Sequence, residues 1–264
     1  MTADNFLLYA ILVTRNNKLS LRDEILLLLS DKALVFGPIR ETLNYFGYKN
    51  KKVIWSTLER LASNGYLKKS KKDAGIEFLL IASGRNEIPK EPTHVPRPNK
   101  SWDRKWRMVL VDIPEQKRRL RDKFSAKLKE MGFARMQNSV YISVHDVLDG
   151  VQKLGQKIGI KENIKTMLVE NIDIPDQKQF VQNLWNLTEL NQMYKEFIDN
   201  NKNGYKNNQL NSDILKYGLR RTKYQYLNIL HLDPILPKEL LPSNWIGYEA
   251  EKTWRQMEKI LETY

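Results

Sequence analysis

The sequence predicts an α+β protein, and three patterns along its 264 residues support that class. The first part shows apolar residues at helical spacing and then two alternating strands. The middle part follows the order strand, helix, strand, strand, helix, strand, and the last part is mainly helical. We therefore predict a winged helix-turn-helix domain over 1–87, a proline-rich linker over 88–100, a ferredoxin-like domain over 101–176 and a helical domain over 177–264.

The composition excludes several classes of protein. Hydrophobic residues make up 41% of the chain, which is enough for a core, and there is no Cys for a disulfide framework, a thiolate metal site or a thiol nucleophile. The three His residues are far apart in sequence, which disfavours a His-rich metal site. No apolar run approaches the ~20 residues of a membrane span, and the N-terminus lacks the basic start of a signal peptide. We expect a soluble cytoplasmic protein with no membrane partner.

Three helices are predicted in the first part. Ser20 is the expected N-cap of the first helix, and a short second helix is predicted over 39–46. The third helix ends at Asn64-Gly65. We expect its inner face to consist of Val53, Leu58 and Leu61. The short turn between the second and third helices is typical of a helix-turn-helix.

A basic hairpin follows the third helix. Residues 66–69 alternate as a strand does, a lysine-rich turn over 69–75 comes next, and residues 76–81 read as the returning strand. In the helix-turn-helix arrangement the third helix enters the major groove of DNA, and such a hairpin lies against backbone phosphate.

The net charge of +13 is concentrated in two windows. Residues 38–86 carry ten Lys and Arg against four Asp and Glu, and residues 97–135 carry thirteen against five. Concentrated positive charge indicates a polyanionic partner, because each neutralised phosphate releases counterions. The charge alone also fits solvated helix faces, and the winged-helix pattern decides in favour of double-stranded DNA. The predicted contact residues are Lys49, Lys51, Lys52, Trp55, Ser56, Arg60, Lys68, Lys69, Lys71 and Lys72.

Within this set the side chains suit different tasks. The hairpin lysines suit phosphate contacts, because a point charge on a flexible stem carries little information about base sequence. Arg60 and Ser56 suit contacts with base edges. Trp55 is the aromatic residue that we expect to be exposed on this surface.

The middle part begins with a short buried strand over 108–111 that ends at Asp112-Ile113-Pro114. A strongly basic helix over 116–131 follows, and Gly132 ends it. Two strands over 133–137 and 140–143, a helix over 146–158 and a strand over 166–169 complete the βαββαβ order.

The run WDRKWRMVLVDIPEQKRRLRDKFSAKLKEMGFARMQNSVYIS in this part closely resembles the central domain of PaaX-family transcriptional repressors. That domain is itself similar to the small CRISPR-associated nuclease Cas2. The resemblance covers some 40 residues in register. It implies a Cas2-like domain over 101–176.

The last third carries the same resemblance. Helices are predicted over 185–200, over 211–228 and from Gly247 onward, and the run DPILPKELLPSNWIGYEAEKTW between the last two resembles the C-terminal segment of the family. Membership implies a homodimeric repressor that binds a near-palindromic operator. In some members an aryl-acyl-CoA thioester releases the DNA, which implies a CoA thioester as a possible effector. The family commonly has Arg where Trp55 aligns, so the operator sequence that this protein recognises can differ from the operators of other members.

The Cas2 resemblance also opens an alternative. Cas2-type nucleases use an acidic residue at the end of the first strand, and Asp112 has that position. Two such carboxylates, one from each subunit, can hold a Mg²⁺ ion that supports the cleavage of RNA or DNA. The other interpretation is that Asp112 caps the following helix or fixes the strand end. We favour the second interpretation, and we expect no enzymatic activity, no metal and no resident cofactor.

Basic residues outside the first part have three interpretations. They can contact additional DNA phosphate, receive the phosphates of an effector, or form a solvated face. The residues concerned are Lys117, Arg118, Arg119 and Arg121 on the basic helix and Arg220 and Arg221 on the helix over 211–228.

Overall fold

The computed structural model describes residues 19–262 except for 31–33, 37–50, 74, 89–100 and 202–211. The predicted second helix, Lys49 and the linker after Ile88 therefore lie outside the described residues. The described residues divide into two compact units. The first draws on Met1–Lys90, Glu196–Asn228 and Glu249–Tyr264, and the second on Glu91–Lys195 and Ile229–Tyr248. The domain boundaries given above stay a prediction.

The first unit begins with a mixture of short helices and strands. These are α1 (Leu21–Leu28), β1 (Leu34–Phe36), α2 (Lys51–Ser63), β2 (Leu67–Lys72), β3 (Gly75–Leu80) and α3 (Ala82–Asn86). Ser20 caps α1 as predicted, because its Oγ accepts a hydrogen bond from the backbone N–H of Asp23 at 3.2 Å. Strand β1 and helix α3 are absent from the prediction, since three and five residues are too few to show a period.

Strands β1, β3 and β2 form an antiparallel sheet in that order. The hairpin β2–β3 pairs from Leu67 with Leu80 to Lys72 with Gly75. Lys71 and Lys72 therefore lie in strand β2, where the sequence predicted a turn. Helices α1 and α2 and the sheet share one core, which includes Ile25, Leu26, Leu58, Leu61 and Phe78.

The inner face of α2 differs from the prediction. Ile54, Leu58 and Leu61 are buried, whereas Val53 is 51% exposed. Spacings of four and three residues keep the buried residues on one side of a helix with 3.6 residues per turn. Val53 and Leu58 are five positions apart and point about 140° away from each other. The predicted inward position of Val53 is therefore wrong.

The second unit is built on a four-stranded sheet. Its elements are β4 (Trp106–Val111), α4 (Arg118–Glu130), β5 (Ala134–Gln137), β6 (Val140–Ser143), α5 (Leu148–Lys157) and β7 (Ile164–Val169). The strand order is β5-β6-β4-β7 and every pair is antiparallel. This is the predicted ferredoxin-like βαββαβ topology. Helices α4 and α5 bury one face of the sheet in a core that includes Val109, Phe124, Leu128, Tyr141 and Val151.

Helix α6 (Gln177–Leu184) is a further element that the prediction lacks. Five of its eight residues are polar, so its apolar period is weak. It packs through Phe180, whose ring meets that of Trp106 edge to face at 6.3 Å. The prediction for the rest of this unit is confirmed, with boundaries that move by one or two residues.

The C-terminal helices are α7 (Leu187–Asn201), α8 (Ser212–Leu230) and α9 (Gly247–Glu262), close to the predicted ranges. Within the first unit the ring of Tyr226 lies 5.5 Å from Phe197 and 6.0 Å from Trp254. The hydroxyl of Tyr224 is hydrogen-bonded to Asp23. Burial, followed by the charge of Asp23, raises the pKa of Tyr224, so this hydroxyl stays protonated. Helix α8 thereby contacts α1.

His145 is a buried titratable group in the second unit. Its Nε2 donates a hydrogen bond to the backbone carbonyl of Pro234 at 2.6 Å. A Cβ at Gly132, which has φ +83° at the end of α4, would lie 2.5 Å from the His145 ring. Burial lowers the pKa of His145, and the nearby charge of Arg107 acts in the same direction, against the opposing effect of the hydrogen bond.

This environment predicts a pH-dependent stability. The unfolded chain binds a proton at His145 near pH 6.5, whereas the folded protein resists protonation to lower pH. Stability is therefore retained above about pH 6.5 and falls below it, by at most about 1.4 kcal/mol per pH unit. Thermal unfolding between pH 7.5 and 5.5 measures this slope. We expect H145Q to be less stable at pH 7.5 but to lose less stability on acidification. An equal slope in both proteins would exclude His145 as its source.

Candidate nucleic-acid interface

The outward side of α2 is a ridge of polar residues that contains one apolar residue. Its exposed members are Lys51, Lys52, Val53, Ser56 and Arg60. The ridge faces outward because the opposite side of the helix is buried in the core. The Ser56 hydroxyl donates to the backbone carbonyl of Val53 at 3.0 Å. Within the described part of the chain, the Arg60 guanidinium has no hydrogen-bond or ion-pair partner. The ridge therefore offers several side chains to an external partner.

Trp55 is half-buried, which corrects the expectation that it is exposed. Its ring meets Phe78 of β3 edge to face at 5.7 Å, and the Lys69 ammonium lies 5.4 Å from its centroid. Lys69 also pairs with Glu59 of α2 at 2.5 Å. Trp55, Glu59 and Lys69 thus hold the hairpin against α2. Sequence reasoning missed the role of Glu59, because only tertiary structure brings it to Lys69.

The four hairpin lysines point to two sides of strand β2. Successive side chains alternate, so Lys69 and Lys71 share one side and Lys68 and Lys72 share the other. All four are exposed. Lys72 lies 3.7 Å from Glu77, whereas Lys68 and Lys71 have no ion-pair partner among the residues that the structure describes. Lys68 and Lys71 are therefore the hairpin cations with the least internal neutralisation.

The pairing of Lys69 predicts that the hairpin lysines contribute unequally to the binding of a polyanion. We expect K69A to lower the salt dependence of DNA binding less than K68A, because the Lys69 ammonium is already partly neutralised by Glu59. The measurement is the slope of log affinity against log salt for the two variants. A larger loss of slope in K69A would show that Lys69 leaves Glu59 to contact phosphate.

Helix α4 carries the basic residues that were predicted for the middle part. Arg121 pairs with Glu115 at 2.9 Å, and Arg118 lies 3.9 Å from the same carboxylate. Lys117 lies in the 3-10 turn just before α4, and it and Arg119 are exposed without an ion-pair partner in the described ranges. The helix can therefore contact an external anion most readily through Lys117 and Arg119.

Arg220 and Arg221 lie in α8, but they do not form a surface site together. Arg221 is only 5% exposed, which excludes the interpretation that it belongs to a solvated face, and its contact with an effector or DNA phosphate stays a prediction. Arg220 is half-buried, and burial lowers its pKa. Six of the nine residues from Arg221 to Ile229 are buried, so this part of α8 does not follow a simple amphipathic period.

Asp112 is exposed directly after β4. Its backbone N–H donates to the carbonyl of Asn163 at 2.8 Å, and the Asn163 amide donates to the Asp112 carbonyl at 2.7 Å. Helix α4 begins only at Arg118, so Asp112 does not cap it. The backbone of Asp112 instead fixes the end of the strand.

No group of three or more His, Cys, Asp or Glu side chains among the described residues is arranged to hold a metal ion. None of the described helices is both long enough and apolar enough to cross a membrane.

Two family models match the chain. The model of the PaaX protein central Cas2-like domain matches residues 99–181, and that of the PaaX-like protein C-terminal domain matches residues 185–264. Together they cover more than half of the sequence.

Two individual proteins are similar to this chain. The transcriptional repressor PaaX of Escherichia coli (strain K12) is 25% identical over 227 residues, which span 82% of this chain and 70% of that protein. An uncharacterized protein from Mycobacterium tuberculosis has a similar structure, with a TM-score of 0.54, 16% identity, and coverage of 92% of this chain and 97% of its own. The second similarity concerns the fold alone.

Proposed function

This chain belongs to the PaaX family of transcriptional regulators, and from that premise we propose that it is a DNA-binding repressor. The observation that carries this function is the exposed ridge of α2 beside a hairpin whose lysines are exposed on both sides of β2. A helix that presents such a ridge, next to a basic hairpin, is suited to the major groove and to the phosphates that border it.

The N-terminal elements of the first unit support a winged helix-turn-helix. Strand β1 lies between α1 and α2 in sequence and pairs with β3, and the hairpin β2–β3 follows α2. In this arrangement α2 is the recognition helix and the hairpin is the wing. The remaining helix of the motif is the one predicted over 39–46, outside the described residues.

The roles of the contact residues follow from their chemistry. Lys68, Lys71 and Lys72 hold the DNA backbone, since each ammonium is an exposed point charge on a flexible stem. Arg60 and Ser56 face the base edges, where a guanidinium can bind guanine through two hydrogen bonds. No residue has a bond-making role in this function.

The functional molecule in this proposal is a homodimer. Two recognition helices related by a two-fold axis enter successive major grooves of a near-palindromic operator. The Cas2-like domain and the C-terminal helices carry dimerisation and effector sensing. The contact between Tyr224 of α8 and Asp23 of α1 gives the C-terminal helices a direct connection with the winged-helix elements.

An acyl-CoA thioester is the proposed effector, by analogy with other members of the family. The dimer has arrangements of its two recognition helices that fit the operator and others that do not. The effector can release DNA only if its affinity is higher for an arrangement that does not fit. The exposed cations before and within α4, Lys117 and Arg119, suit the CoA phosphates. A cavity of about 550 Å³ in the second unit suits them poorly, because Glu170 and Glu239 line it.

One experiment tests the function. Duplexes bound by the full-length protein are selected from a random pool, and the complex is then challenged with acyl-CoA esters and, separately, with EDTA. We expect the selected duplexes to share a near-palindromic sequence, and the protein to retard such a duplex in a gel without cutting it, with or without Mg²⁺. We also expect an acyl-CoA ester to release the duplex, whereas EDTA does not. Chelator-sensitive cleavage that is lost in D112N would instead establish the Cas2-like nuclease, with Mg²⁺ held at Asp112.

A further inference from the structure

Val53 is an apolar side chain on the polar ridge of α2. It is 51% exposed, although Ile54 beside it is fully buried. It stands three positions before Ser56 and seven before Arg60, so the three residues follow one side of the helix. A β-branched residue at an exposed helix position is also a weaker helix former than Ala. The position therefore gains little packing and no helix propensity from Val.

The place of Val53 along the helix adds a second observation. It lies near the N-terminal end of α2 as far as the structure describes this helix (Lys51–Ser63), and recognition helices touch base edges with their N-terminal residues. Ser56 and Arg60 supply hydrogen-bonding groups on the same side, but they offer nothing to the apolar part of a base edge. In the major groove the apolar feature is the 5-methyl group of thymine.

We propose that Val53 is a specificity-determining residue that packs against the methyl group of a thymine in the operator. This inference rests on the proposed DNA-binding function and deepens it. Contact with a methyl group discriminates thymine from cytosine at one base pair, next to the positions that Ser56 and Arg60 read. The contact requires no movement of the core, because the side chain already projects outward.

Deoxyuridine provides the test, because it differs from thymidine only in lacking the 5-methyl group. Each thymine of a duplex selected by the wild-type protein is replaced singly by deoxyuridine, and the affinities of wild type and V53A are measured. We expect replacement of one thymine in either half-site to weaken wild-type binding roughly fourfold, the factor that corresponds to one buried methyl group. The same replacement should have no effect on V53A.

L168A is a matched control, since Leu168 is also 51% exposed but lies on β7 in the second unit. It should respond to deoxyuridine as the wild type does. If wild type is insensitive to every replacement, or V53A keeps the wild-type response, the role of Val53 is disproved while DNA binding stands. If the wild type selects no duplex at all, the proposed function fails together with this inference. V53A is expected to fold, because Ala favours the helix and little packing is lost.

Discussion

Replacing Lys68, Lys71 and Lys72 together with Ala weakens binding to operator and random duplexes alike, on the order of a hundredfold near 0.1 M salt. Each phosphate contact contributes about 0.9 to the slope of log affinity against log salt, so three lost contacts reduce that slope by nearly three. The loss is independent of sequence, because an ammonium at the backbone does not distinguish bases. Titrations of both duplexes at several salt concentrations measure it.

The matched control for this variant removes three cations from the second unit. Lys123, Lys129 and Lys161 are exposed like the hairpin lysines, and their combined replacement changes the net charge equally. We expect that variant to keep most of the wild-type slope. Equal losses of slope in the two variants would mean that the hairpin acts only through the overall charge of the protein.

Arg60 produces the second large effect, and this effect depends on sequence. R60A is expected to lose about ten- to a hundredfold in affinity for the selected operator and much less for random DNA, because a bidentate contact with guanine is worth about 1–3 kcal/mol. Selection with R60A should return a relaxed preference at one base pair of each half-site. Affinity measurements on operator variants at that base pair check the result.

R60K separates charge from base recognition at the same position. Lysine keeps the positive charge but lacks the planar fork that donates two hydrogen bonds. We therefore expect R60K to retain the salt slope and to lose preference at the same base pair as R60A. Full recovery of preference in R60K would show that recognition of this base pair does not require the two-pronged guanidinium of Arg60.

The fold was predictable from the sequence to the extent that local periodicity determined it. The capped α1, the hairpin, the βαββαβ order and the C-terminal helices all carry several residues of one period. Strand β1 and helix α3 were not predicted because they are too short to show a period, and β1 is a strand through its pairing with β3. Helix α6 was not predicted, because most of its residues are polar and its apolar period is weak.

The site was less predictable from the sequence, because it depends on which side chains of each helix and strand face the core and which face solvent. Val53 and Ile54 are chemically similar neighbours, and only the spacing to Leu58 and Leu61 decides which of them is buried. The sequence indicates Trp55 and Lys69 as separate contacts, but tertiary packing through Phe78 and Glu59 joins them. Arg221 looks like a surface cation until the packing of α8 is known.

The central claim is that the outward ridge of α2 lies in the DNA groove, and the absence of Cys from the chain permits a direct measurement. A DNA-cleaving iron chelate is attached to S56C, and to E162C as an exposed control in the second unit. We predict that S56C cuts both strands within each operator half-site and that E162C does not cut there. Formation of the complex without any cleavage from S56C would contradict the claim.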